Sequence, residues 1–346
     1  MKLCFSPQDA ARWESLCDIY AQNERFTRLL ADYLNRTPRM ITSRMVKTLA
    51  GDCALPEEIA FRVLLAASIG LDTSTNAEDK QMEKDYLIPS LHKLDPAKWK
   101  NDAYLTTIDF PAARIGNWSF CAERYAPYEP FVCGLPRQTE SGHSIPQLGY
   151  FTGSFSFPAV RENGIEWMAV KPSEIATMRA PLEAAQGKTV AFGLGLGYFA
   201  FHAARKDLVS EVLVVERDQA VIDLFKTHLL PQFPHREKIR LVKADAFVFA
   251  EKKLPAEQAD FAFVDLWHDQ SDGLPLYLQM RRLEALSPAT RFAYWIEPLL
   301  LSSLRGMVFD RICDDGPGEV RSFEEAKTML SDPYLRSLAP KIRRIE

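Results

Sequence analysis

The sequence predicts an α/β protein whose C-terminal part folds around a parallel sheet. Three observations carry that expectation. From Lys171 onward, short apolar runs alternate with helical stretches, the rhythm of right-handed βαβ units. The stretch "AFGLGLGYFAFHAA" (191–204) sets Gly193, Gly195 and Gly197 between an apolar run and a helical one. Acidic residues close the next three apolar runs, at Glu216, Asp245 and Asp265.

Taken in order, residues 1–112 read as a helical domain. "SPQDAARWESLCDIYAQ" offers Ser6 as N-cap and Pro7 at the first helical position. "PEEIAFRVLLAASIGL" starts similarly at Pro56, and its apolar residues almost encircle it, which predicts a buried core helix. Residues 113–170 are rich in aromatics, Gly and Pro, and read as a small β-rich connector of short strands and loops ending in "GIEWMAVKP". The third domain is expected over 171–346. It opens with the helix "PSEIATMRAPLEAAQG", with Ser173 as N-cap and Gly187 as its stop. "KTVAF", "EVLVVE", "KIRLVKAD", "ADFAFVD" and "RFAYWIEP" are its five expected strands. "LLLSSLRGMVFDRICDD" and "SFEEAKTMLSDPYLRSLAPKI" both look helical.

Composition narrows the class. The 346 residues carry 42 basic and 46 acidic side chains, a formal net charge of −4, which gives no electrostatic case for general nucleic-acid binding. The six cysteines form no C-x-x-C pair, and His92, His143, His228 and His235 have no partner at ligand spacing, so neither a disulfide framework nor a metal is expected. "MKLCFSPQDAARWE" contains no apolar run of signal length, and no stretch approaches the roughly 20 apolar residues of a membrane span. A cytoplasmic location away from membranes is the expectation.

The glycine turn joins the first strand of the sheet to the next helix. Glycine permits positive φ and close approach to the backbone, and ligands of open α/β sheets lie at the carboxyl ends of the strands. Glu216 falls 19 residues after Gly197, where an acid can accept hydrogen bonds from both hydroxyls of a ribose. Asp245, followed by the small Ala246, suits an adenine edge. "DLWHDQSDG" offers Asp265, Trp267, His268, Asp269 and Asp272 after the fourth strand. His268 is of the residue type that serves as a general base, Asp265 or Asp269 could orient it or act as base, and Trp267 could stack on adenine or face a cation. Met168, Glu174, Trp295 and Glu297 fall near the same crevice, while Trp118, Tyr125, Tyr128, Tyr150 and Phe151 are candidates for an acceptor pocket or for core. Counted from Gly195, a dinucleotide pattern survives with Ala200 in its last place, so an NAD-linked reductase stays open as an outsider.

Residues from about 171 to 300 resemble the Rossmann-like domain of class I S-adenosylmethionine-dependent methyltransferases, and among them the spermidine-synthase-like members. "VAFGLGLGYFA" resembles the family's glycine motif, "VLVVERD" its ribose-binding acid, "VKADAFVF" its adenine-edge acid and "ADFAFVDLWHD" its fourth strand and catalytic loop. The resemblance implies S-adenosyl-L-methionine as cofactor, with the backbone at Gly193, Gly195 and Gly197 on its methionine part, Glu216 on the ribose, Asp245 on the adenine amine and Asp265 facing the methionine amino group or the acceptor; Tyr198, Arg217, Ala246 and Trp267 join them as cofactor-binding candidates, and Asp265, His268 and Asp269 are the catalytic candidates. It implies methyl transfer to an unidentified small-molecule acceptor. An aminopropyltransferase-like enzyme using the decarboxylated cofactor and a non-catalytic cofactor-binding protein are the alternatives. Ala191 stands where many methyltransferases carry an acid, and the motif reads Gly-Leu-Gly-Leu-Gly where aminopropyltransferases carry an acid within it. The usual sheet of this family has seven strands. Either this one is truncated or the connector strands complete it.

Overall fold

The computed structural model describes residues 7–314, with side chains over 14–307, as a mixed α/β chain with a helical N-terminal region. In chain order the strands are β1 (Leu91–Lys93), β2 (Arg114–Ile115), β3 (Trp118–Tyr125), β4 (Phe131–Gln138), β5 (Ser144–Tyr150), β6 (Phe155–Glu162) and β7 (Ile165–Ala169). There follow β8 (Gly187–Phe192), β9 (Val209–Glu216), β10 (Ile239–Lys243), β11 (Phe261–Val264) and β12 (Arg291–Tyr294). The chain divides into two compact units, and neither is continuous. One takes the described residues up to Pro96, then Arg124–Phe155 and those from Arg305 on; the other takes Ala97–Glu123 and Ser156–Leu304. This is a different division from the three consecutive segments expected at 1–112, 113–170 and 171–346. Strand pairing distant in sequence draws the β-rich stretch into two sheets, one in each unit.

The first unit is a helical core backed by the three-stranded sheet β1-β5-β4. Pro7 opens a thirty-residue helix, Pro7–Arg36, while Ser6 lies outside the described residues. Phe26, Leu30, Val46, Phe61, Leu65 and Tyr86 are buried together. Helix Glu57–Ser68 is more one-sided than its sequence suggests: Ala60, Phe61, Leu65 and Ala66 are buried, but Val63 is 39% exposed. The Tyr128 and Tyr150 rings pack on Phe61 at 5.3 and 4.4 Å, so Tyr128, Tyr150 and Phe151 are core of this unit. Among its described residues the buried acids, Asp79 and Glu129, both have cationic partners. Asp79 meets Arg25 at 2.6 Å and also accepts the Asp72 N–H; Glu129 meets Arg39 at 2.8 Å and accepts the Ala126 N–H at 2.7 Å.

The second unit holds two sheets. One is four-stranded, β2-β3-β6-β7, with β2 against β3 and β6 against β7 antiparallel. The other has five strands in the order β10-β9-β8-β11-β12, and every pair in it is parallel. The first of these strands in the chain is thus central, and the order reverses beside it, a topological switch point of the Rossmann-like kind. All five expected strands are present. Among the described residues the parallel sheet stops at five, and the connector strands do not complete it. "LLLSSLRGMVFDRICDD" is helical within Glu297–Asp314, and the last expected helix lies outside the described residues.

Local chemistry explains the boundaries. Helix Pro172–Ala184 is entered at Pro172, whose fixed φ suits the first helical position, so the N-cap is Lys171 and the expected cap Ser173 lies inside the helix. Its C-terminal end is Ala185 rather than Gly187, which at φ +59° opens β8 against the Asp260 carboxylate. The Lys206 ammonium stops the helix instead, donating to the carbonyls of Leu182, Glu183 and Ala185 at 2.5, 2.9 and 2.6 Å. No helix of the described residues is long and apolar enough to cross a membrane.

Candidate functional site

The parallel ladder continues past the strand ends and draws the candidate residues onto one edge. Gly193 N–H donates to the Val215 carbonyl at 2.9 Å, Ala244 to Glu216 at 3.0 Å, Asp265 to Phe192 at 2.9 Å and Trp295 to Val264 at 2.9 Å. The loops after β8, β9, β10, β11 and β12 therefore share a rim, and a cavity of about 300 Å³ lies against it. Its wall includes Gly193, Leu194, Gly195, Glu216, Asp245 and Asp265, together with Arg217, Ala246, Trp267, His268 and Trp295. Glu174 and Met168 also reach it. The four-stranded sheet supplies a second side through Trp118, Val160, Glu162, Glu166 and Trp167. These residues were not legible as a group, because nothing local marks β3, β6 and β7 as partners. The Trp118 and Trp167 rings meet edge-on at 5.9 Å, and Trp118 Nε1 donates to Asp218 at 2.9 Å.

The three glycines serve the turn more than an approaching ligand. Their φ values are +97°, +50° and +75°, a region that favours glycine. A Cβ at Gly193 would overlap the Asp265 carbonyl, at Gly195 the Met168 sulfur, and at Gly197 the Phe225 ring. Protein atoms thus fill the space expected to be kept for a ligand, and the exposed wall is backbone of 193–195. Gly197 and Tyr198 do not line the cavity. Gly197 caps helix Tyr198–Ala204, and the Tyr198 hydroxyl donates to Asp102 at 2.9 Å.

The acids differ in what holds them. Glu216 accepts the N–H groups of Asp218 at 2.8 Å and Leu194 at 3.2 Å; burial pushes its carboxyl up, and these donors pull it back. Asp245 accepts the Val248 N–H at 3.0 Å through Oδ1, capping helix Ala246–Lys252. Asp265 and Glu174 make no hydrogen bond through their carboxyl groups among the described residues. Burial and the Glu174 charge drive Asp265 well above the carboxylate range. Burial, reinforced by Glu166 and opposed by Lys171, brings Glu174 to about 7. The wall as a whole carries seven acidic side chains against the cations Lys171 and Arg217. Lys171 is itself paired with Glu166 at 2.6 Å.

The loop after β11 sorts its candidates. His268 Nε2 lies 2.7 Å from the Glu166 main-chain oxygen. A carbonyl only accepts, so that nitrogen carries the proton and is not open as a base. Asp269 does not line the cavity. Its carboxylate accepts the Ser271 N–H and hydroxyl, both at 2.6 Å, which hold it below the usual range; with Asp272 it forms the capping box of helix Gln270–Leu283. Asp269 thus sits as a helix cap, not beside the expected reaction centre. Trp267 is buried against Gly273 and stacked toward Tyr294, and its Nε1 has no partner among the described residues. Glu297, expected near the rim, accepts the Tyr277 hydroxyl at 2.7 Å, and Trp295 Nε1 donates to Thr177 at 2.9 Å. Among the described residues no cluster of His, Cys, Asp or Glu is arranged to hold a metal ion.

Strand order and rim define the class of fold: an open parallel sheet with a crevice at its switch point. No protein-family model matches the chain, and no curated protein does. Among solved structures it is similar to the spermidine synthase of Thermotoga maritima, at 15% identity and a TM-score of 0.30, over 40% of this chain and 48% of that one. A spermidine synthase in complex with the transition-state analogue AdoDATO is similar at 16% identity and a TM-score of 0.30, over the same 40% and 48%. The match spans about half the length of each, and adds nothing to what the strand order shows by itself.

Proposed function

We propose that the crevice binds an S-adenosyl cofactor and that the chain is a transferase, in the first instance of methyl, acting on a small-molecule acceptor. The observation that carries this reading is the meeting of Glu216, Asp245 and Asp265 with the 193–195 backbone on one cavity wall. The residues present fit such a group. Glu216 is fixed by two main-chain donors and keeps lone pairs for the two hydroxyls of a ribose. Asp245 caps its helix through one oxygen and keeps the other for an adenine amine. The backbone of Gly193, Leu194 and Gly195 runs beside the amino-acid part. Glu174 and Asp265, without donors of their own, answer an ammonium group.

When bound, the sulfonium of such a cofactor supplies an alkyl carbon open to displacement. The protein's share is alignment and proton handling. Burial and the Glu174 charge both disfavour a charge on Asp265. A cation entering beside them favours the charged form, after which a carboxylate oxygen of Asp265 can take a proton from an acceptor. His268 holds its proton on Nε2 against the Glu166 carbonyl and ties the β11 loop to β7.

A second reading, aminopropyl transfer from the decarboxylated cofactor, is favoured by the acidity of the wall, which suits a ligand carrying amines and no carboxylate. Calorimetry separates these possibilities. S-adenosylmethionine or S-adenosylhomocysteine should bind at micromolar concentration, and Glu216→Ala should abolish the heat. Preference for the decarboxylated cofactor, with polyamine formed from putrescine, would replace the first reading by the second. Binding without turnover on any acceptor tried would leave a cofactor-binding protein, and heat from none of the three ligands would end the proposal.

A further inference from the structure

The glycine turn is gripped from behind by a segment that never reaches the cavity. Helix Ala103–Thr107 begins at Asp102, which accepts the N–H groups of Tyr104 at 2.8 Å and Leu105 at 3.4 Å. The same carboxylate accepts the Tyr198 hydroxyl at 2.9 Å and lies 3.4 Å from His202 Nε2. Two residues on, Tyr104 is fully buried, and its hydroxyl donates to the Leu196 main-chain oxygen. Its ring packs edge-on against Tyr198 at 5.3 Å and Phe201 at 5.1 Å. Leu196 is itself fully buried, and its N–H points at the Met168 sulfur at 3.4 Å. Both polar groups of that residue are therefore held by side chains from outside the turn. Without Tyr104 the Leu196 carbonyl would be a buried acceptor that has lost its donor, an unfavourable state for such a group.

The turn needs this support. Gly197 caps helix Tyr198–Ala204 with no side chain to offer, and the turn closes on itself only through Gly197 N–H to the Leu194 carbonyl at 2.7 Å. The residues at stake, Gly193–Gly195, are the backbone wall of the cavity, one step from the gripped peptide. Asp102, Tyr104, Tyr198 and His202 are all off that wall. We infer that Tyr104 and Asp102 are positioning residues, which hold the Leu196 peptide and the first turn of helix Tyr198–Ala204 so that the 193–195 backbone meets the amino-acid end of the cofactor. This rests on the S-adenosyl reading above. It assigns to Tyr198 a role through Asp102, not the direct cofactor contact expected from sequence.

The inference separates two parts of one ligand. Adenosine would be held by Glu216 and Asp245, at the ends of β9 and β10; it meets the glycine turn only through the Leu194 N–H on Glu216, which Asp218 N–H also holds, whereas the homocysteine part would lie along the turn itself. In calorimetry Tyr104→Phe, which keeps the ring, should weaken S-adenosylhomocysteine about ten-fold and leave adenosine within two-fold. Tyr198→Phe leaves Tyr104 in place, and keeps the test available should Tyr104→Phe not fold. It should show the same split at about three-fold. Equal losses for both ligands would mean general loosening, and unchanged S-adenosylhomocysteine affinity would mean the grip is irrelevant; either overturns the inference while the cofactor reading stands. If the unaltered protein binds neither ligand, the cofactor reading fails and takes this inference with it.

Discussion

Two pairs of acids, one pair in each unit, are held in opposite ways. In the helical unit Asp79 and Glu129 each face an arginine and a main-chain N–H, so burial is matched by charge and hydrogen bonds. In the sheet unit Glu174 and Asp265 sit at a cavity and accept no hydrogen bond among the described residues, and Lys171, whose charge acts on Glu174, is paired with Glu166. An unpaired buried carboxyl destabilises a fold, and a protein keeps one where it does something else. The contrast marks Asp79 and Glu129 as framework, and it is the reason Glu174 and Asp265 are proposed above as ligand-facing groups.

Removing a partner should break the framework first. Arg25→Leu strands Asp79, and should lower the stability of the helical unit by about 3 kcal/mol in a denaturant titration. In the sheet unit the sign reverses. Glu174 has its folded-state value raised from 4.5 to about 7, so the native protein binds the proton more tightly than the unfolded chain. That group's contribution is highest below the unfolded value, falls as pH rises through 4.5 to about 7, and stays low above it. Glu174→Gln should therefore stabilise the protein at pH 8 by about 2 kcal/mol, and the gain should vanish below about pH 4.5, as read from melting temperatures across pH. Combining it with Asp265→Asn should give less than the sum of the two gains, because the Glu174 charge is part of what makes an ionised Asp265 costly. The smallest effect sharpens the comparison at the surface: Asp269→Ala removes a helix cap, costs about 1 kcal/mol in thermal unfolding, and leaves S-adenosylhomocysteine affinity unchanged.

Much of the sheet unit was legible because its signals are local. Apolar runs of strand length, each closed by an acid, fixed where Glu216, Asp245 and Asp265 would lie, since a strand end determines its own neighbours in a parallel ladder. The cap at Asp269 was legible too, in the D-x-x-D spacing of "DQSD", but a catalytic reading of the loop competed with it. The turn glycines showed where φ would be positive and not what would fill the space beside them; Met168, Asp265 and Phe225 arrive from elsewhere in the chain. The pairing of β1 with β5, and the joining of β2 and β3 to β6 and β7, depend on contacts far apart in sequence, so the β-rich stretch read as one piece. The second wall of the cavity was hidden for the same reason.

The interleaved path of the backbone has a consequence for biosynthesis. A ribosome releases the helical front half long before β4 and β5, which cover part of it, and the sheet unit begins at Ala97 but needs everything to Leu304. Neither unit can close as it emerges, so a nascent chain carries uncovered apolar surface until the later segments of each unit have followed. Truncations at residue 112 or 170 cut across both units, and should give aggregates in place of isolated domains.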